Sequence, residues 1–180
     1  MRRTILAVLL LAGCAGVPED APRTVAAVDL HRYAGTWYEI ARFPNRFEDG
    51  SGRACAEVTA TYTPRPDGRI GVRNTCRDDA AGGLPRDAEG RAYVVAGSGG
   101  SKLRVSFFWP FYGDYWVLGV SPDYAWAVVG DPRREYLWVL ARGADLSAGA
   151  YAEAVGIARA QGFDTARLRA TRQTTPPAGG

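Results

Sequence analysis

Between residues 35 and 142 the chain reads as eight β-type runs joined by short turns, with no helical periodicity among them. The runs at 35–43, 55–63, 69–76, 90–96, 102–108, 114–120, 124–129 and 136–142 are rich in β-branched and aromatic residues. Residues 102–108 alternate polar and apolar, the period of a half-buried strand. Turn residues such as Ser121-Pro122-Asp123 and Gly130-Asp131-Pro132 punctuate the later runs. A meander of this kind leaves two open edges unless it closes on itself. The expected fold is therefore all-β, an eight-stranded antiparallel up-and-down barrel. One helix should follow, from an N-cap at Ser147 to a stop at Gly162, with Tyr151, Ala154, Val155 and Ala158 on one stripe. Gly149 and Gly156 weaken it, so it needs the outside of the barrel wall for support. Residues 136–142 are apolar on both faces, as suits a strand that lines the barrel on one side and lies under the helix on the other. Residues 168–172 read as a short last strand.

Cys55 and Cys76 flank the first predicted hairpin, whose turn is Pro64-Arg65-Pro66-Asp67-Gly68. If Tyr62 faces Arg69, the same register sets Cys55 opposite Cys76, within disulfide reach. Their spacing excludes a CxxC redox or zinc site. With one histidine, His31, a multi-histidine metal site is impossible, so no metal is expected. The formal net charge of +3 is too small to argue for nucleic-acid binding.

The chain begins with Arg2 and Arg3, then an apolar run at 5–12 that is too short to span a bilayer, then Leu11-Ala12-Gly13-Cys14. This resembles the lipobox of bacterial lipoproteins. The resemblance implies a signal peptide over 1–13 and acylation at Cys14, which anchors the chain to a membrane. No Asp follows Cys14, which by the same resemblance points to the outer membrane, with the barrel in the periplasm. Residues 14–27 carry two prolines and no apolar period, and are read as a tether. The domain is expected over 28–173, and 174–180 as a disordered tail.

Eight strands, a helix and a short strand is the order of the lipocalins, and three motifs carry the likeness. Gly35-Thr36-Trp37 is similar to the family's G-x-W. The segment from Gly130 to Tyr136 resembles its second motif. Arg142 stands where the family places an arginine over that tryptophan at the closed end. Residues 33–48, 58–62, 102–113 and 136–140 resemble the bacterial outer-membrane lipocalins in particular. That likeness implies binding of fatty acyl lipids, favouring lysophospholipids, in membrane maintenance under stress, with no cofactor and with a possible homodimer.

An eight-stranded barrel holds one small ligand. Leu103, Val105 and Phe107 should face inward, with Lys102, Arg104 and Ser106 outward. Tyr136 and Trp138 are the next expected calyx residues, followed by Tyr38, Tyr93 and Tyr115; each could equally be packed barrel core. Trp109-Pro110-Phe111-Tyr112 is an apolar loop suited to a lid, a dimer contact or a membrane-facing patch, and Tyr112 is assigned to the mouth or a dimer. Arg42, Arg46 or Arg104 could pair with a lipid phosphate, against the alternative of solvated arginines on the outer wall. Two other functions compete. One is a lipid-modifying enzyme, for which buried Glu39 or Glu57 would be the acid, although G-x-S-x-G, H-E-x-x-H and G-x-G-x-x-G are all absent. The other is a structural lipoprotein with a filled barrel that binds a protein. The reading adopted is a lipid-binding protein, not an enzyme.

Overall fold

The computed structural model describes residues 16–50 and 52–173; the signal segment, Cys14 and the predicted tail lie outside them. Eight antiparallel strands form the barrel: β1 (Gly35–Arg42), β2 (Cys55–Pro64), β3 (Ile70–Asp78), β4 (Leu84–Val94), β5 (Lys102–Phe108), β6 (Phe111–Val120), β7 (Trp126–Gly130) and β8 (Leu137–Ala141). Each pairs with its neighbours in sequence, and β1 pairs with both β8 and β2, which closes the wall. Two helices, α1 (Leu30–Tyr33) and α2 (Ala148–Ala160), and a two-residue strand, β9 (Arg169–Ala170), complete the fold. β9 pairs with Ala41 and Arg42 of β1, beyond Tyr38, the last β1 residue paired with β2.

Side-chain alternation divides the apolar residues into two clusters. The interior cluster holds Trp37, Tyr62, Val72, Leu103, Val117, Val129 and Leu140. The outer cluster sits beneath α2 and holds Ala41, Trp116, Val128, Leu137, Val139, Ala154 and Ala158. Thus β8 sends Leu140 in and Val139 out, as its two apolar faces require. Ser147 caps α2 by accepting the N–H of Ala150. Ala154 and Ala158 are fully buried, so the helix lies close on the sheet, and a Cβ on Gly119 would meet Ile157 at 2.8 Å.

Two readings of the sequence are corrected. The β2–β3 register sets Tyr62 opposite Val72, not Arg69, and Cys55 opposite Asp78, not Cys76. The offset is set at the turn, where Pro64 pairs with Ile70, and a bulge between Ala56 and Thr59, with Glu57 at φ 51°, then moves the ladder by one residue. The disulfide nevertheless forms, with Cys55 and Cys76 Cα atoms 5.5 Å apart. Second, β4 starts at Leu84 rather than residue 90. The polar stretch before Gly90 continues the strand by pairing with β3, up to Asp78 opposite Leu84. Pairing with β5 covers only Arg91 to Val94, so 84–89 stand exposed to water and carry polar residues for that reason.

The segment before α1 runs along the outside of the barrel. Val28 donates to Gly99 O, Val25 to Val117 O and Arg23 to Gln161 Oε1, while Asp20 meets Arg134. No helix among the described residues is long and apolar enough to cross a membrane.

Candidate functional site: the barrel interior and its mouth

The barrel has a closed and an open end. At the closed end Asp29 caps α1 by accepting the N–H groups of His31 and Arg32. Trp37 donates its indole N–H to Tyr33 O at 2.8 Å. The Arg142 guanidinium lies 3.9 Å over the Trp37 ring and donates to the carbonyls of Arg32, Ala34 and Thr36. Gly35, at φ 93°, makes the turn that brings α1 across the barrel. Gly35, Trp37 and Arg142 therefore meet in one place.

Above this plug three tyrosines form a floor. The Tyr115 hydroxyl lies 2.8 Å from both the Tyr33 and the Tyr62 hydroxyls. Burial pushes the Tyr62 phenol up to about 12 and raises Tyr33 and Tyr115 well above the ordinary value, so all three are neutral donors and acceptors. Packing below is close: the void beside Tyr33, Tyr62 and Leu103 is about 10 Å³, room for a single water. Tyr33 and Tyr62 escaped the sequence reading because each looks like an ordinary aromatic; only their convergence on Tyr115 makes a floor.

The half toward the mouth is different. Val105, Phe107, Tyr136 and Trp138 face inward yet are only half-buried, so solvent reaches the interior at this end. Gly90 faces Phe107 across the ladder: a Cβ there would meet its ring at 2.8 Å. Phe47, Tyr136 and Trp138 form a stacked aromatic wall, with centroids 5.9 and 5.7 Å apart, running from the rim inward. Leu103 lies at the buried bottom and Tyr115 in the floor.

Two expected calyx residues, Tyr38 and Tyr93, are elsewhere, and Tyr112, assigned to the mouth or a dimer contact, also faces outward. Tyr38 pairs with Thr59 and Ala141, on the face turned away from Trp37 and Glu39. Tyr93 neighbours inward Ala92, and so points outward, where it packs edge-on against Tyr112 at 5.4 Å. The physical reason is the two-residue period: once Trp37, Ala92 and Tyr115 face in, Tyr38, Tyr93 and Tyr112 face out.

Arg42 faces the interior opposite Trp138, as Glu39 does opposite Leu140. Arg42 donates to Glu39 at 2.7 Å, contacts Glu48 at 3.0 Å and binds Asp49 through two nitrogens. Trp138 donates its indole N–H to Glu48 at 3.3 Å, which joins the aromatic wall to the charges. Thr171, just after β9, donates its hydroxyl to Glu39. One guanidinium cannot neutralise three carboxylates, and Glu39 is the most deeply buried of them. Burial and the Glu48 charge push its carboxyl up to about 8, against the pull of Arg42 and Thr171. Arg42 stays charged: burial opposes this, but Asp49, Glu39 and Glu48 outweigh it. Glu39 is therefore a structural acid held by two partners, and Arg42 is committed to carboxylates rather than to a phosphate. Arg104 is on the outer wall with Asp114 at 3.0 Å, whereas Arg46 stays exposed at the rim, 5.2 Å from the Phe47 ring. Glu57 lies in the β2 bulge near Arg77 and Arg172. Among the described residues no cluster of His, Cys, Asp and Glu could hold a metal.

Comparison with known proteins agrees with this architecture. Residues 28–173 match the model of the lipocalin-like domain. The chain is 41% identical over 165 residues to the outer membrane lipoprotein Blc of Vibrio cholerae, covering 91% of this chain and 93% of the relative. It is 39% identical over 162 residues to the protein of that name from Escherichia coli, covering 90% and 89%. It is 40% identical over 162 residues to temperature-induced lipocalin-1 of Arabidopsis thaliana, covering 85% and 84%. Insecticyanin from the tobacco hornworm shares the fold with a TM-score of 0.67 at 17% identity, covering 88% of this chain and 87% of its own. Lobster apocrustacyanin A1 does so with 0.64 at 18%, covering 90% and 96%. The closed barrel, the Trp37–Arg142 plug and these matches establish that this chain belongs to the lipocalin family.

Proposed function

We infer that this lipocalin is an outer-membrane lipoprotein, anchored through acylated Cys14, that binds fatty acyl lipids in the open half of its barrel. Lysophospholipids are the favoured ligands, held for storage or transport in membrane maintenance under stress. The observation that carries this reading is the half-buried inward set Val105, Phe107, Tyr136 and Trp138 above a neutral tyrosine floor. An acyl chain laid against that wall gains roughly 0.8 kcal/mol per methylene removed from water, before the cost of association. Ten methylenes give about 8 kcal/mol gross, a large part of which association takes back, so stacking on the aromatic wall has to add to the chain's own burial. The names of the bacterial relatives support the membrane assignment. The engagement of Glu39 by Arg42 and Thr171 favours a binding protein over a lipid-modifying enzyme.

The test is native mass spectrometry of the exported, oxidised protein titrated with lysophospholipid, alongside tryptophan emission. The expected result is saturable binding, one lipid per chain or per dimer, with an emission change lost in Trp138→Ala. No co-purified lipid and no saturable uptake of any acyl ligand would return the protein to the filled-barrel, protein-binding reading.

A further inference from the structure

Five large apolar side chains are exposed around one end of the molecule: Phe47 at 53%, Leu84 at 62%, Phe108 at 78%, Trp109 at 73% and Phe111 at 76%. They come from the β1–β2 loop, the start of β4 and the β5–β6 turn, all at the open mouth. Leaving so many aromatics in water is unfavourable unless a partner covers them. The path of the N-terminal segment says which partner that is. From the closed end, where Val28 bonds Gly99, the segment climbs the outer wall to Asp20. There Arg134, in the β7–β8 loop at the mouth, donates to the Asp20 carbonyl and pairs with its carboxylate. Cys14 is six residues further on, a reach of about 20 Å at full extension. The ten-residue strand β6 sets the closed end roughly 25 Å farther away along a tilted barrel. An acyl anchor on Cys14 thus holds the mouth, and not the plug, against the membrane.

We propose that the mouth is a bilayer-docking surface, with Phe108, Trp109 and Phe111 entering the lipid interface so that acyl ligands pass between membrane and calyx without crossing water. Aromatic rings favour that interface, and one docked loop added to an acyl anchor makes a two-point attachment. The aromatic wall then gives the ligand's path: Phe47 at the rim stacks on Tyr136, and Tyr136 on Trp138. The proposal rests on the lipid-binding lipoprotein reading, and its test separates the two.

The full lipidated chain is reconstituted in phosphatidylethanolamine–phosphatidylglycerol vesicles carrying nitroxide-labelled acyl chains. Tryptophan emission is expected to be quenched, and Trp109→Phe to lose most of that quenching. Phe108→Asp/Trp109→Asp/Phe111→Asp should bind dissolved lysophospholipid like the wild type, because these side chains are outside the calyx. Its uptake of the same lipid from vesicles should be about tenfold slower. Unquenched Trp109, or equal uptake from vesicles by both proteins, overturns the docking surface even if dissolved lipid binds. Failure of the wild type to bind dissolved lipid overturns the ligand reading, and the quenching still decides the docking. A dimer that the triple variant dissociates, with Trp109 unquenched in vesicles, assigns the patch to a second copy and overturns the proposal.

Discussion

Glu39 shows how much the environment of one residue decides. In sequence it is a lone acid between Tyr38 and Ile40; in the fold it is 3% exposed, beside Arg42, Glu48 and Thr171. Its folded value near 8 lies above the ordinary 4.5. The native state therefore holds a proton that the unfolded chain has released, and stability from this group is complete below about pH 4.5 and declines as pH rises toward 8. Urea unfolding at a series of pH values should show the wild type losing about 1 kcal/mol or more relative to Glu39→Gln between pH 5 and 8. Parallel profiles for the two proteins would mean that Arg42 holds Glu39 ionised throughout. Asp49 runs the other way: burial opposes its charge, but the Arg42 hydrogen bond holds its carboxyl below the usual range.

At the scale of elements, the β2–β3 hairpin is where sequence and structure differ most usefully. The pairing of Cys55 with Cys76 was legible from two β-runs around a Pro-Asp-Gly turn. The register was not, because it is set at the turn, where Pro64 pairs with Ile70, and the bulge at Glu57 then moves the ladder by one residue. The cross-link closes a loop of 21 residues' separation beside the mouth, so Cys55→Ser/Cys76→Ser should lose about 3 kcal/mol in denaturant unfolding. A loss well under 1 kcal/mol would show that the β-ladder already constrains the unfolded chain there. The extended β4 has the same origin. Its outer half is stabilised by β3 alone, and water on the other side permits a polar sequence that reads as a loop.

Over the whole molecule the two ends are built for different tasks. The closed half is filled by Trp37, the tyrosine floor and Arg142; the open half keeps half-buried inward side chains and an exposed apolar rim. Local stability should follow this division. In native-state hydrogen exchange the amides of 86–89 should exchange about a thousandfold faster than those of Val117, Val128 and Val129. Uniform protection would mean that the mouth is as rigid as the plug.

The run of strands and the single trailing helix determined an up-and-down barrel from the sequence alone, because hydrophobic period and turn chemistry are local properties; the G-x-W and Arg142 motifs added the likeness to the lipocalins. The inward placement of Leu103, Val105 and Phe107 was legible for the same reason. Which strand neighbours share a face was not. Tyr38, Tyr93 and Tyr112 went to the outer wall because pairing with distant strands fixes which of the two alternating faces is inward, and Trp37, Ala92 and Tyr115 take it. The convergence of Tyr33, Tyr62 and Tyr115, the three carboxylates on Arg42 and the return of the N-terminal segment to the mouth were likewise decided only in three dimensions. Each joins residues far apart in the chain, and only closure of the barrel brings them within contact distance.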